Sequence, residues 1–408
     1  MSARPEHILL ITTTLLSANP RLLKEAWALA GQGYRVTVVY CYTKRWAFEA
    51  DREILTQAPF KAILVGGTPH QNPLRWHFGR LRRKVCSWFS VLPPCRRRMQ
   101  AQAYDEMLAA AVCLDADLYI AHNPGALAVA ARAAKKRRIP FAFDAEDFHR
   151  GESVIAGRNR NIKSLEDRYL PNASYISAAS TLIAHEYVRL FPEKKVVAIN
   201  NVFCRATQPA FRTHDSADAL KLFWFSQTVG RDRGIQDAIQ AMNLLPELNL
   251  ELTILGYCKE EIKSFFLGQR KVDKHRLNFI DPVQPDAIFR LASGHDIGLA
   301  LEPAFSKNND IALSNKIFTY LLSGNAIFAS ETAMQKKFMK SYPCIGRTHP
   351  VGDVKALASN LNFYYLNRQA LNEARQSAWK LANEQLNWEE EQKKLIRLVE
   401  DTLARKAM

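Results

Sequence analysis

Short apolar runs alternate with helical stretches along most of this chain of 408 residues, and that alternation constrains the fold more than any other feature. The run at residues 8–12 suits a strand buried on both faces, and Asn19-Pro20 then supplies an N-cap and a proline at the first helical position. Further strands are predicted at 36–40, 62–65, 118–121, 141–144, 175–178 and 196–199. The first half of the chain is therefore predicted to form a parallel α/β domain.

The same alternation restarts after residues 205–219, a polar segment with a proline and no hydrophobic periodicity. Strands are predicted there at 222–225, 250–255, 277–280, 297–301 and 326–329. A chain of this length exceeds what one hydrophobic core usually serves. We predict an N-terminal Rossmann-like domain over 1–204, a linker over 205–219, a C-terminal Rossmann-like domain over 220–380, and a C-terminal helix over 381–408 that packs back toward the N-terminal domain.

Several protein classes are disfavoured by what the sequence lacks. No apolar run approaches the roughly 18 residues needed to cross a bilayer, and the apolar start of the chain is typical of a first strand rather than a signal peptide. The seven cysteines form no CxxC pair, so neither a disulfide framework nor a metal site is predicted. No G-x-G-x-x-G follows a predicted strand, which argues against a dehydrogenase. We expect a cytoplasmic protein.

The formal net charge of +16 indicates an anionic partner, and the charge is concentrated. No acidic residue occurs between Glu53 and Asp105, where cations alternate with aromatic residues. We predict that this segment contacts an anionic membrane surface through Arg75, Trp76, Arg80, Arg82, Arg83 and Lys84. The alternatives are a solvated basic insertion and a nucleic-acid patch, and no recognisable nucleic-acid-binding module supports the latter.

Two strand-to-helix loops in the second half contain the residues best suited to an anionic ligand, because open α/β sheets bind ligands at the carboxyl ends of their strands. In the first, a strand ends at Glu302 and a helix opens at Ser314, Asn315 and Lys316. A helix N-terminus suits a diphosphate, which would also explain a lysine in the first turn. The alternative is a solvated lysine on a surface helix.

The second loop, within residues 223–234, contains Arg231 and Arg233 between two glycines. Guanidinium groups match phosphate oxygens, and glycines permit close approach of the backbone. An arginine-rich turn alone is more often simply solvated. Its occurrence in the same half of the chain as Lys316 favours binding of a diphosphate.

The sequence resembles the GT-B glycosyltransferases, in particular the retaining hexosyltransferases of bacterial surface polysaccharide synthesis. The resemblance is carried by residues 17–39, 116–134, 143–152, 223–234 and 298–324. The family's donor helix is similar to the segment from Asn315 to Gly324. The resemblance covers residues 8 to 340. It implies two Rossmann-like, doubly wound parallel-sheet domains facing a central cleft, with the acceptor bound by the N-terminal domain and the nucleotide-sugar donor by the C-terminal one.

The resemblance also implies roles for individual residues. Glu302 would accept hydrogen bonds from the donor sugar, and His122 would face that sugar as a second catalytic residue. Donor-binding positions would be Arg231, Arg233, Ser314, Asn315, Lys316 and Thr319. Acceptor-side positions would be Asn19, Arg21, Asp144 and Glu146.

Two positions depart from the family pattern, and two of the predicted functional roles have purely structural alternatives. Thr319 stands where the family has a ribose-binding glutamate, and Gln227 stands where it has a first basic clamp residue. His122 could simply be a strand-end histidine bonded to a loop. The polar cluster from Asp144 to His149 is equally consistent with acceptor binding and with helix capping and salt bridges.

We therefore expect an enzyme that moves a hexose from a nucleotide sugar to a polysaccharide, lipopolysaccharide or lipid-linked acceptor. The donor loops contain no Asp-x-Asp, so a metal-independent reaction is expected, with the nucleotide sugar as co-substrate and no other cofactor. The expected location is the cytoplasm, peripheral on the inner face of the cytoplasmic membrane. Alternatives are a sugar-nucleotide epimerase or hydrolase of the same fold, and a non-catalytic binding protein, because fold alone does not fix the reaction.

Overall fold

The computed structural model describes residues 4–155, 157, 159–213 and 219–407. The chain divides into two compact units. The first comprises Met1–Asn200 with Gln392–Met408, and the second comprises Asn201–Glu391. Each unit is built around its own parallel sheet.

The first unit contains a seven-stranded sheet in the order β3-β2-β1-β4-β5-β6-β7, in which all pairings are parallel. Its strands are β1 (His7–Thr12), β2 (Arg35–Cys41), β3 (Lys61–Val65), β4 (Leu118–His122), β5 (Phe141–Ala145), β6 (Ile176–Ala178) and β7 (Val196–Ala198). Its helices are α1 (Pro20–Gly31), α2 (Arg45–Gln57), α3 (Pro73–Trp88), α4 (Pro93–Gln100), α5 (Tyr104–Cys113), α6 (Asn123–Arg137), α7 (Arg160–Tyr169) and α8 (Thr181–Leu190).

Local sequence explains the first strand and helix. Every residue of β1 is buried, as expected for a central strand covered by helices on both faces. The Asn19 side chain caps α1 by accepting a 3.0 Å hydrogen bond from the Leu22 backbone amide. Leu22, Ala26 and Leu29 then form the buried face of α1 at helical spacing.

The second unit contains a six-stranded parallel sheet in the order β10-β9-β8-β11-β12-β13. Its strands are β8 (Leu220–Thr228), β9 (Leu250–Tyr257), β10 (Arg276–Ile280), β11 (Ile297–Ala300), β12 (Ala326–Ser330) and β13 (Gly346–His349). Its helices are α9 (Ile235–Asn243), α10 (Glu260–Gln269), α11 (Pro285–Ser293), α12 (Lys307–Ile311), α13 (Asn315–Ser323), α14 (Ala333–Ser341), α15 (Val354–Leu366) and α16 (Arg368–Glu384). A last helix, α17 (Trp388–Ala407), begins in this unit, and its residues from Gln392 belong to the first.

The predicted fold class is confirmed, since both units are doubly wound parallel α/β structures. The strand β13 was not predicted. Of the predicted linker, residues 205–207 form a single 3₁₀ turn and residues 214–218 lie outside the described residues. In the part of the chain that is described, no helix is long and apolar enough to cross a membrane.

The order of strands defines where a ligand can enter each sheet. In an open doubly wound sheet, a crevice forms at the carboxyl ends of the two strands where the winding reverses. That point lies between β1 and β4 in the first unit and between β8 and β11 in the second. The loops that follow these strands contain five of the predicted site residues, namely Asn19, Arg231, Arg233, Glu302 and Ser314.

Candidate donor site and a buried charge cluster

Glu302 lies just beyond the carboxyl end of β11, beside the switch point of the second sheet. Its turn is fixed by Ser330, whose hydroxyl accepts a 2.8 Å hydrogen bond from the Glu302 amide and donates one of 2.8 Å to the Glu302 carbonyl. Gln335, fully buried beneath, donates a 3.1 Å hydrogen bond to the carbonyl of Ala300, the last residue of β11. Ser330 and Gln335, which are both buried, thus fix the backbone of Glu302 and of Ala300, and this positions the Glu302 carboxylate.

The Glu302 carboxylate is paired with Lys316 in a largely buried setting. Lys316 Nζ lies 2.6 Å from Glu302 Oε1, and the two side chains are 13% and 17% exposed. Burial alone would raise the pKa of Glu302, but Lys316, the Ser314 hydroxyl and the charge of Arg233 together lower it below its ordinary value. The carboxylate is therefore ionised at neutral pH and can accept hydrogen bonds from a ligand.

Helix α13 begins without a hydrogen bond from the side chain at its N-cap position. Ser314 occupies the N-cap position, but its hydroxyl donates a 2.8 Å hydrogen bond to Glu302 Oε1, and α13 receives no side-chain cap. The Lys316 ammonium lies 5.5 Å from the centre of the Trp224 ring. Without a side-chain cap, the first backbone amides of α13 are suited to an anion.

The loop between β8 and α9 approaches the same place through Gly234. This glycine has a φ of 75°, and a Cβ there would come within 2.6 Å of the Leu301 Cβ and 2.8 Å of the Leu301 carbonyl oxygen. Only glycine therefore lets the loop pack against the end of β11. Arg233, directly before it, is exposed and is close enough to lower the pKa of Glu302.

Three other predicted donor positions are placed less favourably or remain open. Thr319 is buried, with 2% of its surface exposed, and its hydroxyl bonds to the Asn315 carbonyl of its own helix at 3.4 Å. As placed, Thr319 offers almost no surface to a ligand, and its donor-binding role stays a prediction that this burial does not support. Arg231 is drawn toward α10, where it lies 3.4 Å from Glu261 and stacks 4.2 Å from the Phe265 ring centre. Asn315 is exposed at the start of α13.

His122 ends β4 at the switch point of the first sheet, and its side chain has no exposed surface. Its Nε2 lies 3.2 Å from Glu25, and its Nδ1 lies 3.1 Å from Glu146 and 3.5 Å from Asp144. Burial would lower the pKa of His122, but these carboxylates raise it to about 10, so the ring is an imidazolium. As placed, it offers no atom to a ligand, and the predicted catalytic role stays a prediction.

Arg21 and Asp144 form a second pair within the same cluster. Arg21 donates to both oxygens of Asp144, from Nε at 2.6 Å and from Nη2 at 2.8 Å, and both side chains are buried. Arg21 also donates to the Ile199 carbonyl at 2.7 Å. The prediction that Arg21 and Asp144 contact the acceptor does not fit this burial, and the salt-bridge alternative for the cluster does.

The two remaining acceptor-side residues differ in exposure, since Asn19 is buried and Glu146 is partly exposed. Asn19 caps α1 and donates a hydrogen bond to Glu146, and it is 4% exposed. Glu146 keeps 24% of its side chain exposed, which makes it the acceptor-side candidate that a ligand can still reach. Glu25, which sequence analysis missed, is fully buried at the centre of the cluster.

Glu25, His122 and Asp144 lie close enough together to be considered as a cation site. Their existing partners argue otherwise, because His122 already lies 3.2 Å from Glu25 and 3.1 Å from Glu146. Both oxygens of Asp144 are already used by Arg21. We therefore assign the group as a network of ion pairs.

The predicted membrane-facing residues all lie on α3, with mixed exposure. Arg75, Arg80, Arg83 and Lys84 are exposed. Arg82 instead faces the protein, at 3.0 Å from Asp105 and 2.6 Å from Glu106, and its membrane contact stays a prediction that these ion pairs do not support. Trp76 is half-buried, with its ring centre 6.4 Å from that of Tyr42.

Comparison with known proteins agrees with this architecture. Residues 18–201 match the family model described as a glycosyl transferase 4-like domain. HepE from Anabaena, solved with UDP-glucose, is 15% identical, with a TM-score of 0.69 over 97% of this chain and 99% of that one. Sucrose-phosphate synthase from Thermosynechococcus elongatus is 13% identical, with a TM-score of 0.74 over 98% and 100% of the two chains.

A glycosyltransferase from Rickettsia africae is 12% identical, with a TM-score of 0.66 over 98% of this chain and 99% of that one. At such identities the solved structures show the fold alone. No curated protein matches this chain by sequence.

Proposed function

We propose that this chain, a glycosyltransferase of the GT-B fold, transfers a hexose from a nucleotide sugar bound by its second unit. The observation that carries the proposal is the group formed by Glu302, Lys316 and Arg233 at the switch point of the second sheet. An ionised carboxylate lies there beside cations and an uncapped helix N-terminus. Such a group can hold a sugar hydroxyl and a diphosphate side by side.

Each member of the group has a distinct task in the proposed reaction. The Glu302 carboxylate accepts hydrogen bonds from hydroxyls of the donor hexose. Arg233, Lys316 and the first amides of α13 stabilise the negative charge that gathers on the nucleoside diphosphate as it leaves. These groups can perform the work that a divalent cation performs in other transferases, so we propose a metal-independent reaction.

The proposed stereochemical outcome is retention at the anomeric carbon. It rests on the resemblance of segments 223–234 and 298–324 to retaining hexosyltransferases. The proposed acceptor is a polysaccharide, a lipopolysaccharide or a lipid-linked glycan, bound by the first unit at the inner face of the cytoplasmic membrane. Nucleic acid is not among the proposed partners.

Calorimetric titration with UDP, GDP, ADP and their hexose conjugates tests donor binding. UDP comes first because the similar fold of HepE was solved with UDP-glucose. We expect one nucleotide to bind with micromolar affinity, unchanged by EDTA, and Arg233→Gln to weaken it about tenfold, since a hydrogen bond to a charged group contributes roughly 1.5–3 kcal/mol. Arg276→Gln, at an exposed arginine of β10, is the matched control.

The reaction is tested with the nucleotide sugar that binds, in the presence of membrane lipid extract or surface polysaccharide. Transfer of the hexose to the acceptor, with an unchanged anomeric configuration by NMR, supports the proposal. An altered or free sugar without acceptor would favour the epimerase or hydrolase alternative. No binding of any nucleotide would favour a non-catalytic protein and would refute the proposed donor site.

A further inference from the structure

Helix α3 exposes a row of large apolar side chains that the proposed reaction does not use. The row, here called the apolar stripe, consists of Leu74, Phe78, Leu81, Val85 and Trp88, which are 86%, 60%, 59%, 38% and 70% exposed. The intervals alternate between four and three residues. Since each helical residue advances by about 100°, all five lie within an arc of about 80° on one side of α3.

The other side of α3 is fixed to the first unit, so the stripe faces outward in a defined direction. Gly79 and Cys86 are buried, and Arg82 pairs with Asp105 and Glu106 on α5. The chain continues into three further exposed apolar residues, Phe89, Val91 and Leu92, before α4 begins. A contiguous apolar patch larger than a few hundred Å² is rare on a monomeric protein and marks an interaction surface.

Charge selects the kind of partner. The exposed cations Arg80 and Lys84 flank the stripe on one side, and Arg75 flanks it on the other. Residues 54–104 contain no Asp or Glu, so no acidic side chain of this segment opposes an anionic surface. A helix with tryptophan and phenylalanine on one face and arginine and lysine beside it is typical of a helix that lies in a membrane interface.

We infer that α3 docks the protein onto an anionic lipid bilayer. The apolar stripe enters the boundary between headgroups and acyl chains, while Arg75, Arg80 and Lys84 remain at the level of the headgroup phosphates. Pairing of two copies through this face would bring two sets of cations together in a protein of net charge +16, which disfavours a dimer interface. The inference rests on the membrane location in the proposed function and names the surface that makes the contact, but it uses none of the donor-site residues.

Flotation with lipid vesicles tests the docking surface, with the full chain and no nucleotide. Vesicles are made of phosphatidylcholine alone or of equimolar phosphatidylcholine and phosphatidylglycerol. We expect strong binding to the anionic vesicles and weak binding to the neutral ones. The variant Phe78→Ser/Leu81→Ser/Trp88→Ser should bind at least about tenfold more weakly, because each side chain loses its transfer into the apolar phase.

A second test variant removes the cations beside the stripe, and two control variants make equivalent changes in the second unit. Leu244→Ser/Val351→Ser/Leu366→Ser changes three exposed apolar residues of the second unit and should bind like the wild type. Arg75→Gln/Arg80→Gln/Lys84→Gln should bind about a hundredfold more weakly, at about fivefold per cation near the surface. Lys337→Gln/Lys340→Gln/Lys355→Gln removes the same charge from exposed positions of the second unit and should keep most of the binding.

The inference is overturned if the wild type does not bind anionic vesicles, or if the stripe variant binds them with the same affinity as the wild type. It is also overturned if light scattering finds a wild-type dimer that the stripe variant converts to monomer, because the stripe would then be a self-interface. Circular dichroism and unchanged melting temperatures establish that the variants fold. Vesicle binding without nucleotide binding would contradict the proposed donor site and leave this inference standing, whereas nucleotide binding without vesicle binding would contradict this inference and leave the donor site standing.

Discussion

Replacement of Lys316 by methionine tests whether an ion pair stabilises the candidate donor site. The substitution keeps the length and much of the volume of the side chain but removes the cation that lies 2.6 Å from Glu302 Oε1. Breaking a fully buried ion pair costs about 3–5 kcal/mol, because the remaining charge is left without compensation. Since the two side chains are 13% and 17% exposed, water screens part of this effect, and we expect about 2–3 kcal/mol.

A double-mutant cycle isolates the pair from the packing of each side chain. Glu302→Gln alone should cost about 1–2 kcal/mol, because Lys316 then lies beside Trp224 without its carboxylate. In the double variant neither charge is left unpaired, so its loss should fall about 1.5–2 kcal/mol short of the sum of the single losses. Urea denaturation of the three variants and the wild type at pH 7 gives the four free energies of unfolding.

The pH dependence of stability is a second, independent measure of the ion pair between Glu302 and Lys316. The pKa of Glu302 is lower in the folded state than its ordinary value of 4.5. Its contribution to stability is therefore present above pH 4.5 and is lost as the pH falls through the folded-state pKa. The cost of Lys316→Met should accordingly shrink on acidification from pH 7 to pH 4. A coupling energy below about 0.5 kcal/mol, or a cost that is the same at both pH values, would refute the electrostatic account.

Three further predictions concern backbone fit and the buried cluster. Gly234→Ala should lower the free energy of unfolding by about 1–3 kcal/mol and weaken nucleotide binding in calorimetry, because its Cβ would clash with Leu301. Gly230→Ala is the control and should change neither quantity, because a Cβ there has no atom within 4 Å. Arg21→Met should lower the free energy of unfolding of the first unit by about 3–5 kcal/mol in urea, and an equal loss from the exposed Lys136→Met would contradict the assignment. The pKa of His122 is raised from 6.5 to about 10, so its contribution is full below pH 6.5 and is lost as the pH rises toward 10. The stability difference between wild type and His122→Gln should therefore fall with pH by at most about 1.4 kcal/mol per unit, and a difference that does not change would count against the imidazolium.

The strands were predictable because a buried parallel strand is a continuous apolar run, and such runs stand out between alanine-rich helices. All seven strands of the first sheet and five of the second coincide with predicted runs. The strand β13 escaped prediction because its sequence, Gly-Arg-Thr-His, contains no apolar run. It is an edge strand, where pairing with β12 rather than burial defines it.

The burial of individual polar side chains was not predictable, because it depends on segments distant in the chain. Arg21 and Asp144 are 123 residues apart, and nothing local to either indicates that they pair. Arg82 likewise finds Glu106 24 positions away. Glu25 is an exception, since it falls on the apolar face of α1 between Leu22 and Leu29, and an acid at a buried helical position indicates a buried partner.

The two switch points show why the same topology leads to different chemistry in the two units. In the first unit, the cations Arg21 and His122 are matched within the protein by Glu25, Asp144 and Glu146, so the crevice is filled by its own ions. In the second unit, Glu302 is opposed by Lys316 and Arg233, and the uncapped start of α13 adds further positive potential.

A doubly charged diphosphate would meet cations already paired with buried carboxylates at the first switch point, whereas at the second it would meet two cations beside one carboxylate. Charge balance thus supports the proposal that the second unit binds the donor. The proposal can be checked directly, because Arg233→Gln should weaken nucleotide binding. In contrast, His122→Gln, at the switch point of the first unit, should leave binding within about twofold of the wild type if that unit remains folded.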